Sequence, residues 1–248
     1  MSQRRARIGR IAAAAVKSVS ALAVGACLAV GVGTGVAHAA TPPDPLKHWS
    51  VAHIEATSIA NAEQASSLTL NGTFKQSGQT YTTKIGIKKG HGCTATTVGN
   101  KLGTEKIIVV GKTVYLYLDK KFWTNAAGSA GAAIYATIDG RYLKVSASLA
   151  SALAQVCGVQ QDLTASSKKV TVTRGKVSTL DGVRVLELKN SDGTAVYVTD
   201  SSKPEIFEIT APKGSKDGAG TLRVNVGASF TLAAPPARDV VSGAKYGF

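Results

Sequence analysis

At Leu68 the spacing of apolar residues drops to two and, with one interruption, stays there almost to the end. Leu68, Leu70 and Phe74 alternate with Thr69, Thr73 and Lys75, and Gly72 keeps the apolar phase. After Ser77-Gly78, Tyr81, Ile85 and Ile87 alternate with Thr82, Lys84 and Lys88. Side chains two apart share one face of a strand, so these stretches predict a hairpin with one dry and one wet face. Residues 93–98 predict a third strand, and 106–110 with 113–118 a second hairpin about Gly111-Lys112. In the last of these Tyr115 and Tyr117 point away from Val114, Leu116 and Leu118, so both faces are at least half covered. The same period returns at 170–177, 183–188, 194–198, 205–209 and 222–226, between turn signals such as Leu180-Asp181-Gly182 and Ser191-Asp192-Gly193. A slip of phase between Val185 and Leu186 predicts a bulge there.

Helical spacing flanks and interrupts the strands. Asp44-Pro45 opens a helix running to about residue 65, because Asp can cap free N–H groups and Pro has none to lose. Leu46, Trp49, His53, Ala56, Ala60 and Glu63 recur there every three or four residues. In the middle, Phe122-Trp123 ends the first strand block and 125–133 is small and Gly-rich. Residues 141–145 read as a short strand or an extended link. Leu149, Leu153 and Val156 then give a short helix ending at Cys157-Gly158, where Gly suits the left-handed exit. Pro235-Pro236 ends the sheet, with a helical turn expected at 237–242. The link between the two strand groups is too short and too apolar for separate domains. The sum is an α+β chain: one domain over 46–241, a curved antiparallel sheet of about ten strands wrapped over helices, then a tail at 242–248.

The N-terminus is an address. Arg4, Arg5, Arg7 and Arg10 precede an apolar stretch broken only by Lys17, and Ala37-His38-Ala39 follows. A basic head, an apolar run and a small-x-small site are the parts of an export signal over 1–39. Cleavage between Ala39 and Ala40 would release a protein with a short linker, 40–45. Val24-Gly25-Ala26-Cys27 is a competing lipobox-like site that would anchor the chain through Cys27. The residues after it stay apolar to Val36, where a tether would turn polar, so release is favoured. Arg4-Arg5 lacks the rest of a twin-arginine motif.

Charge and cysteine follow from that address. The chain has 29 Lys+Arg against 15 Asp+Glu; removing residues 1–39 takes five bases and no acid, leaving 24 against 15, or +9. The charge is spread in pairs such as Lys88-Lys89, Lys120-Lys121 and Lys168-Lys169. That is a solvated basic surface, drawn to an anionic membrane or wall surface and, outside the cell, not to nucleic acid. Cys93 and Cys157 remain, with no CxxC and no His at ligand spacing. In an oxidising compartment they read as one disulfide closing a loop of about 64 residues; two buried free thiols are the other reading.

Several stretches resemble the LolA/LppX-type extracytoplasmic lipoprotein-carrier fold, above all its actinobacterial secreted members. They are the opening helix running into Ser67-Leu68-Thr69-Leu70, Gly92-Cys93-Thr94-Ala95-Thr96, and Val109-Val110-Gly111-Lys112-Thr113-Val114-Tyr115-Leu116. Lys121-Phe122-Trp123, the Cys157 helix, Leu180-Asp181-Gly182-Val183 and Ala233-Ala234-Pro235-Pro236 complete the set. The resemblance spans roughly residues 45–241. It implies an incomplete β-barrel whose concave face, closed by helices, holds an acyl or glycolipid chain. The best-known mycobacterial relatives are lipid-anchored, a departure here because the Cys27 lipobox is weak.

The residues that carry enzyme chemistry are sparse: three Cys, four His and 15 acids, with aromatics at 6%. His48 and His53, five apart, fall on different parts of a helix, and His91 sits in a turn-like Gly90-His91-Gly92. There is no G-x-S-x-G, HExxH, Walker A or G-x-G-x-x-G, and Gly128-Ser129-Ala130-Gly131 follows no strand-to-helix junction. Asp192 and Asp217 lie in turns. The reading is therefore a non-catalytic exported monomer with no cofactor or metal, holding a lipid or other hydrophobic ligand. Its cavity lining would be Leu68, Leu70, Phe74, Tyr81, Ile85, Ile87, Val114, Leu116, Phe207 and Ile209, burying apolar surface at about 25 cal/mol per Å². The alternative is an envelope interaction or sensor protein whose core is packed and holds no ligand.

Overall fold

The computed structural model describes residues 44–158, 171–215 and 218–248. The export segment with Cys27, Ala39 and Ala40, and also Lys168-Lys169 and Asp217, lie outside the described residues. The described residues form twelve strands: β1 (Ser67–Gln76), β2 (Gln79–Lys88), β3 (Gly92–Gly99), β4 (Gly103–Val110), β5 (Thr113–Leu118), β6 (Tyr142–Lys144), β7 (Val172–Leu180), β8 (Val183–Asn190), β9 (Ala195–Thr199), β10 (Ile206–Ala211), β11 (Ala219–Val226) and β12 (Val240–Ser242). Among the described residues three α-helices accompany them: α1 (Val51–Gln64), α2 (Lys120–Ile138) and α3 (Ala147–Ala154).

All twelve strands share one open sheet in the order β12-β6-β5-β4-β3-β2-β1-β11-β10-β9-β8-β7. It is antiparallel except for β12, which runs parallel to β6. The curved α+β sheet over helices is as expected, and two short strands raise the count. Residues 141–145 resolve as a strand. The turn expected at 237–242 is helical only over Ala237–Asp239, after which the chain pairs with the open edge of β6.

The bulge is displaced from its expected place. Val185 and Leu186 pair in regular register with Ser178 and Val177 on one side and Thr199 and Val198 on the other. Both are fully buried, so β8 is covered on both faces there, and a doubly covered strand mimics a slip of phase. The slips lie in β7, where Gly175 and Lys176 oppose Glu187, and in β10 at Phe207.

Both long helices also differ from expectation. Asp44 accepts the Leu46 N–H at 3.2 Å, but this caps only a turn. The helix proper begins one turn later, where Ser50 Oγ accepts the His53 N–H. Its buried residues, Ile54, Ser58 and Ala62, recur every four. The Gly-rich middle forms α2, which the sequence leaves unassigned. Asp119 starts it, one carboxylate oxygen accepting from Phe122 N (2.7 Å) and the other from Thr104 N (2.8 Å), so the cap also fixes the helix to β4. Gly128 kinks it at φ 59°, ψ −136°. Gly131 is needed for contact, since an added Cβ would lie 1.9 Å from the Trp123 carbonyl oxygen.

Register sorts the concave face into rows. Leu68, Ile87, Cys93, Val109 and Val114 form one; Leu70, Ile85, Ala95, Ile107 and Leu116 form the next. Both are buried with Phe122, Trp123 and Ile138 of α2 and Leu153 of α3 in one cluster. A smaller cluster joins Leu46 and Ile54 to Leu186, Leu188 and Val198. On the convex side the Phe230 ring lies against Gly86, where an added Cβ would come within 2.8 Å of it. Residues 227–239 therefore cross the outside of the sheet from β11 to β12. The 242–248 stretch docks as well: Gly243–Tyr246 make a 3-10 turn and the Phe248 ring meets Trp123 edge-on at 5.6 Å.

Candidate functional site

At the end of the strands where β2 turns into β3, the surface sinks into a basin of about 520 Å³. Ile87 and Val109, which flank Cys93 in one row, make its apolar floor with Ala154 of α3 and Cys157. Its rim is Lys88, Lys89, Gly90, His91 and Gly111, with Glu63 at the end of α1 the one acid among the described residues that line it. The volume falls within the range of small-molecule sites, about 300–1,000 Å³.

Backbone hydrogen bonds hold this rim in shape. Lys89 N donates to Ser66 O at 3.0 Å, His91 N to Lys88 O at 2.9 Å, and Gly111 N to His91 O at 3.0 Å. Gly92 has φ 134°, and an added Cβ would lie 1.9 Å from the Val109 carbonyl oxygen, so only glycine lets the two turns lie this close. Lys89 Nζ donates to Glu63 O at 2.9 Å, a cation placed at the negative end of the α1 dipole. Cys93 and Cys157 are joined, with Cα atoms 5.5 Å apart, so the disulfide ties the segment after α3 to the basin floor.

The ten residues expected to line a cavity divide between four places. Ile87 reaches the basin. Leu68, Leu70 and Leu116 have no surface open to water, and Ile85 and Val114 almost none, so these five pack against the helices. Phe74 stacks on Tyr81 at 5.1 Å, toward the opposite end of the strands. There Phe74 and Ile209 line a second pocket with Thr83, Thr194 and Leu222. Its volume, about 30 Å³, suits a single water. Phe207, at the β10 bulge, lies under the Arg223 guanidinium at 3.9 Å, away from both.

The basin residues carry little signal in the sequence. Lys88-Lys89 reads as one of several charge pairs and His91 as a turn residue. Only the run Gly90-His91-Gly92 beside two lysines hints that this turn is built closely. His48 and His53 do not converge, and the His53 ring instead lies 4.4 Å from Trp49. Gly128-Ser129-Ala130-Gly131 is inside α2, and Asp192 accepts the Thr194 N–H within its own turn. Among the described residues no three His, Cys, Asp or Glu groups come together as a metal site, and no helix is long and apolar enough to cross a membrane.

One charged group stands apart. Glu105 lies on the concave face in the row Thr83–Thr97–Glu105–Leu118. It is 7% exposed and its Oε1 has no hydrogen-bond partner. Burial pushes its carboxyl up to about 7.

No family model matches the chain, and no curated protein does either. Solved structures similar to it include LprF from Mycobacterium bovis, 11% identical with a TM-score of 0.48, over 73% of this chain and 95% of LprF. A Pseudomonas aeruginosa MucA/MucB complex gives 8% identity and a TM-score of 0.38, over 73% of this chain and only 60% of that one. A LolA superfamily protein from Nitrosomonas europaea gives 9% and 0.24, over 75% and 94%.

Proposed function

We propose that this protein is an exported, non-catalytic carrier of an amphiphile, held in the basin with its chain on the apolar floor and an anionic group at the lysine rim. The observation that supports this is the pairing of Ile87, Val109, Ala154 and Cys157 below with Lys88, Lys89 and His91 above. An acyl chain gains by leaving water for such a floor, and a carboxylate or phosphate gains at a cationic edge. The spread of positive charge over the mature chain steers it toward anionic membrane or wall surfaces. The disulfide suits an oxidising compartment. Intact-mass measurement of the native protein distinguishes a chain starting at Ala40 from one acylated at Cys27.

Titration with a dansyl-labelled fatty acid and its methyl ester tests the site. The double variant Lys88→Ala/Lys89→Ala is expected to weaken the acid about ten-fold and the ester less than about two-fold. Ala154→Trp, which fills the floor, weakens both. Equal binding of both probes by wild type and the Ala154→Trp variant removes the proposal.

A second reading has its own support in Leu68, Leu70 and Leu116, which have no surface open to water. A concave face packed this closely suits an envelope interaction protein without ligand. Protein purified from its native host and repeatedly free of extractable lipid favours that reading.

A further inference from the structure

We propose that Glu105 is a proton-dependent latch for α2: neutral, it lets the first turns of the helix seat on the sheet; ionised, it unseats them and opens the concave face. The geometry begins with an unusual placement. Glu105 stands mid-strand on the dry side of β4, between Gly103 and Ile107, where its neighbours on that face are apolar or uncharged. Across the ladder it faces Thr97 on β3 and Leu118 on β5. Two residues earlier, an added Cβ on Gly103 would come 2.5 Å from the Phe122 amide nitrogen, so the first turn of α2 presses on β4 directly beside the carboxyl.

The charged groups around it do not compensate it. Asp119, at the α2 cap, spends its two oxygens on Phe122 N and Thr104 N and is of the same sign. Lys121 sends its Nζ to Asn100 O at 2.8 Å, on the exposed rim, and Lys120 is exposed. Lys106, next in sequence, points to the convex side, over the Tyr117 ring. The remaining titratable group of α2, Tyr135, lies at its far end, near Tyr117 and Gly140. Burial alone displaces the Glu105 carboxyl, and a buried ion without a partner recovers its hydration only when its cover lifts.

The sign follows from the displacement. The seated state holds a proton between about pH 4.5 and 7 that an open, hydrated state releases, so seating weakens as pH rises through that window and levels off above it. A carboxyl held at about 7 instead of the ordinary 4.5 favours the seated state about 300-fold less once ionised. What moves is also given by the fold. The first half of α2 ends at the Gly128 kink, and Phe122 and Trp123 are its buried residues. Lifting it bares the row of Leu70, Ile107 and Leu116. As a conformational device the latch is independent of the carrier reading; as a gate for loading an acyl chain it rests on that reading.

Trp123 emission tests the latch with no ligand present. Trp49→Phe is used as background, because it leaves Trp123 as the one tryptophan of the chain. Raising pH from about 4 to 9 is expected to shift Trp123 emission to the red between about pH 4.5 and 7 and no further above it, and to speed amide exchange at residues 120–127 over the same window. Glu105→Gln, and independently Glu105→Met, should hold the low-pH spectrum and slow exchange throughout. A wild-type spectrum flat over that range, or the same shift persisting in Glu105→Gln, overturns the proposal. Loss of lipid-probe binding with the pH response intact would instead count against the carrier.

Discussion

The two sides of the sheet are held down by different means. Strands β1–β6 lie under α2 and α3, in a large apolar cluster with Trp123 and Phe248, closed by a disulfide. Strands β7–β9 lie under α1 and the turn before it, and among the described residues five buried side chains make their cluster. Here polar groups supply what bulk does not. Arg174 donates to Leu46 O at 2.9 Å and Trp49 O at 3.1 Å, satisfying carbonyls in the turn before α1. Asn61 donates to Pro204 O at 2.7 Å near the helix's other end. Arg184 pairs with the buried Asp200, and Arg223 with Asp181 and Glu208. One flank is stitched by packing and a covalent bond, the other by directed hydrogen bonds, and the basin opens where the end of α1 comes nearest the disulfide.

That contrast can be broken flank by flank. Replacing Cys93 and Cys157 with Ala should have the largest effect, about 4 kcal/mol from the 64-residue separation in the chain-entropy account. Denaturant unfolding of the variant against the oxidised protein measures it. Next, Leu116→Ala should cost about 3–5 kcal/mol, because its site is hemmed by helices and cannot collapse. Leu186→Ala in the smaller cluster should fall nearer 2–3 kcal/mol. Equal losses would mean that the two clusters are equally rigid. Arg174→Ala should cost about 1–3 kcal/mol by orphaning the Trp49 carbonyl and leaving Leu46 O with the Trp49 N–H as its one remaining donor, and amide exchange in α1 should rise while that in α2 stays unchanged. Phe230→Ala should be mildest, about 1 kcal/mol for a half-buried ring, read as a small fall in Tm.

Legibility in the sequence follows how local each signal is. The long strands are plain because alternation is carried by neighbours in sequence, as in Leu68, Leu70, Ile85 and Ile87. The cysteine pair is plain because few partners exist. α2 is hidden because Gly128 and Gly131 look like loop residues; one supplies a kink and the other a close approach to Trp123, both set by tertiary packing. β12 is hidden because its partner, β6, lies about 100 residues earlier, and nothing in Val240-Val241-Ser242 specifies a parallel neighbour. The basin is hidden for a similar reason: it is assembled from two turns, a helix end and a disulfide, none of which is distinctive alone.

The segment that passes over Gly86 behaves mechanically like a hoop around a stave. From β11 to β12 lie seven strand spacings, about 34 Å at 4.8 Å each. The 14 residues from Val226 to Val240 can reach at most about 46–50 Å. With so little slack on the outer circumference, the sheet cannot curl much more tightly without drawing β12 off β6. Any swelling or shrinkage of the hollow side must therefore be felt at the far rim, beside Tyr142.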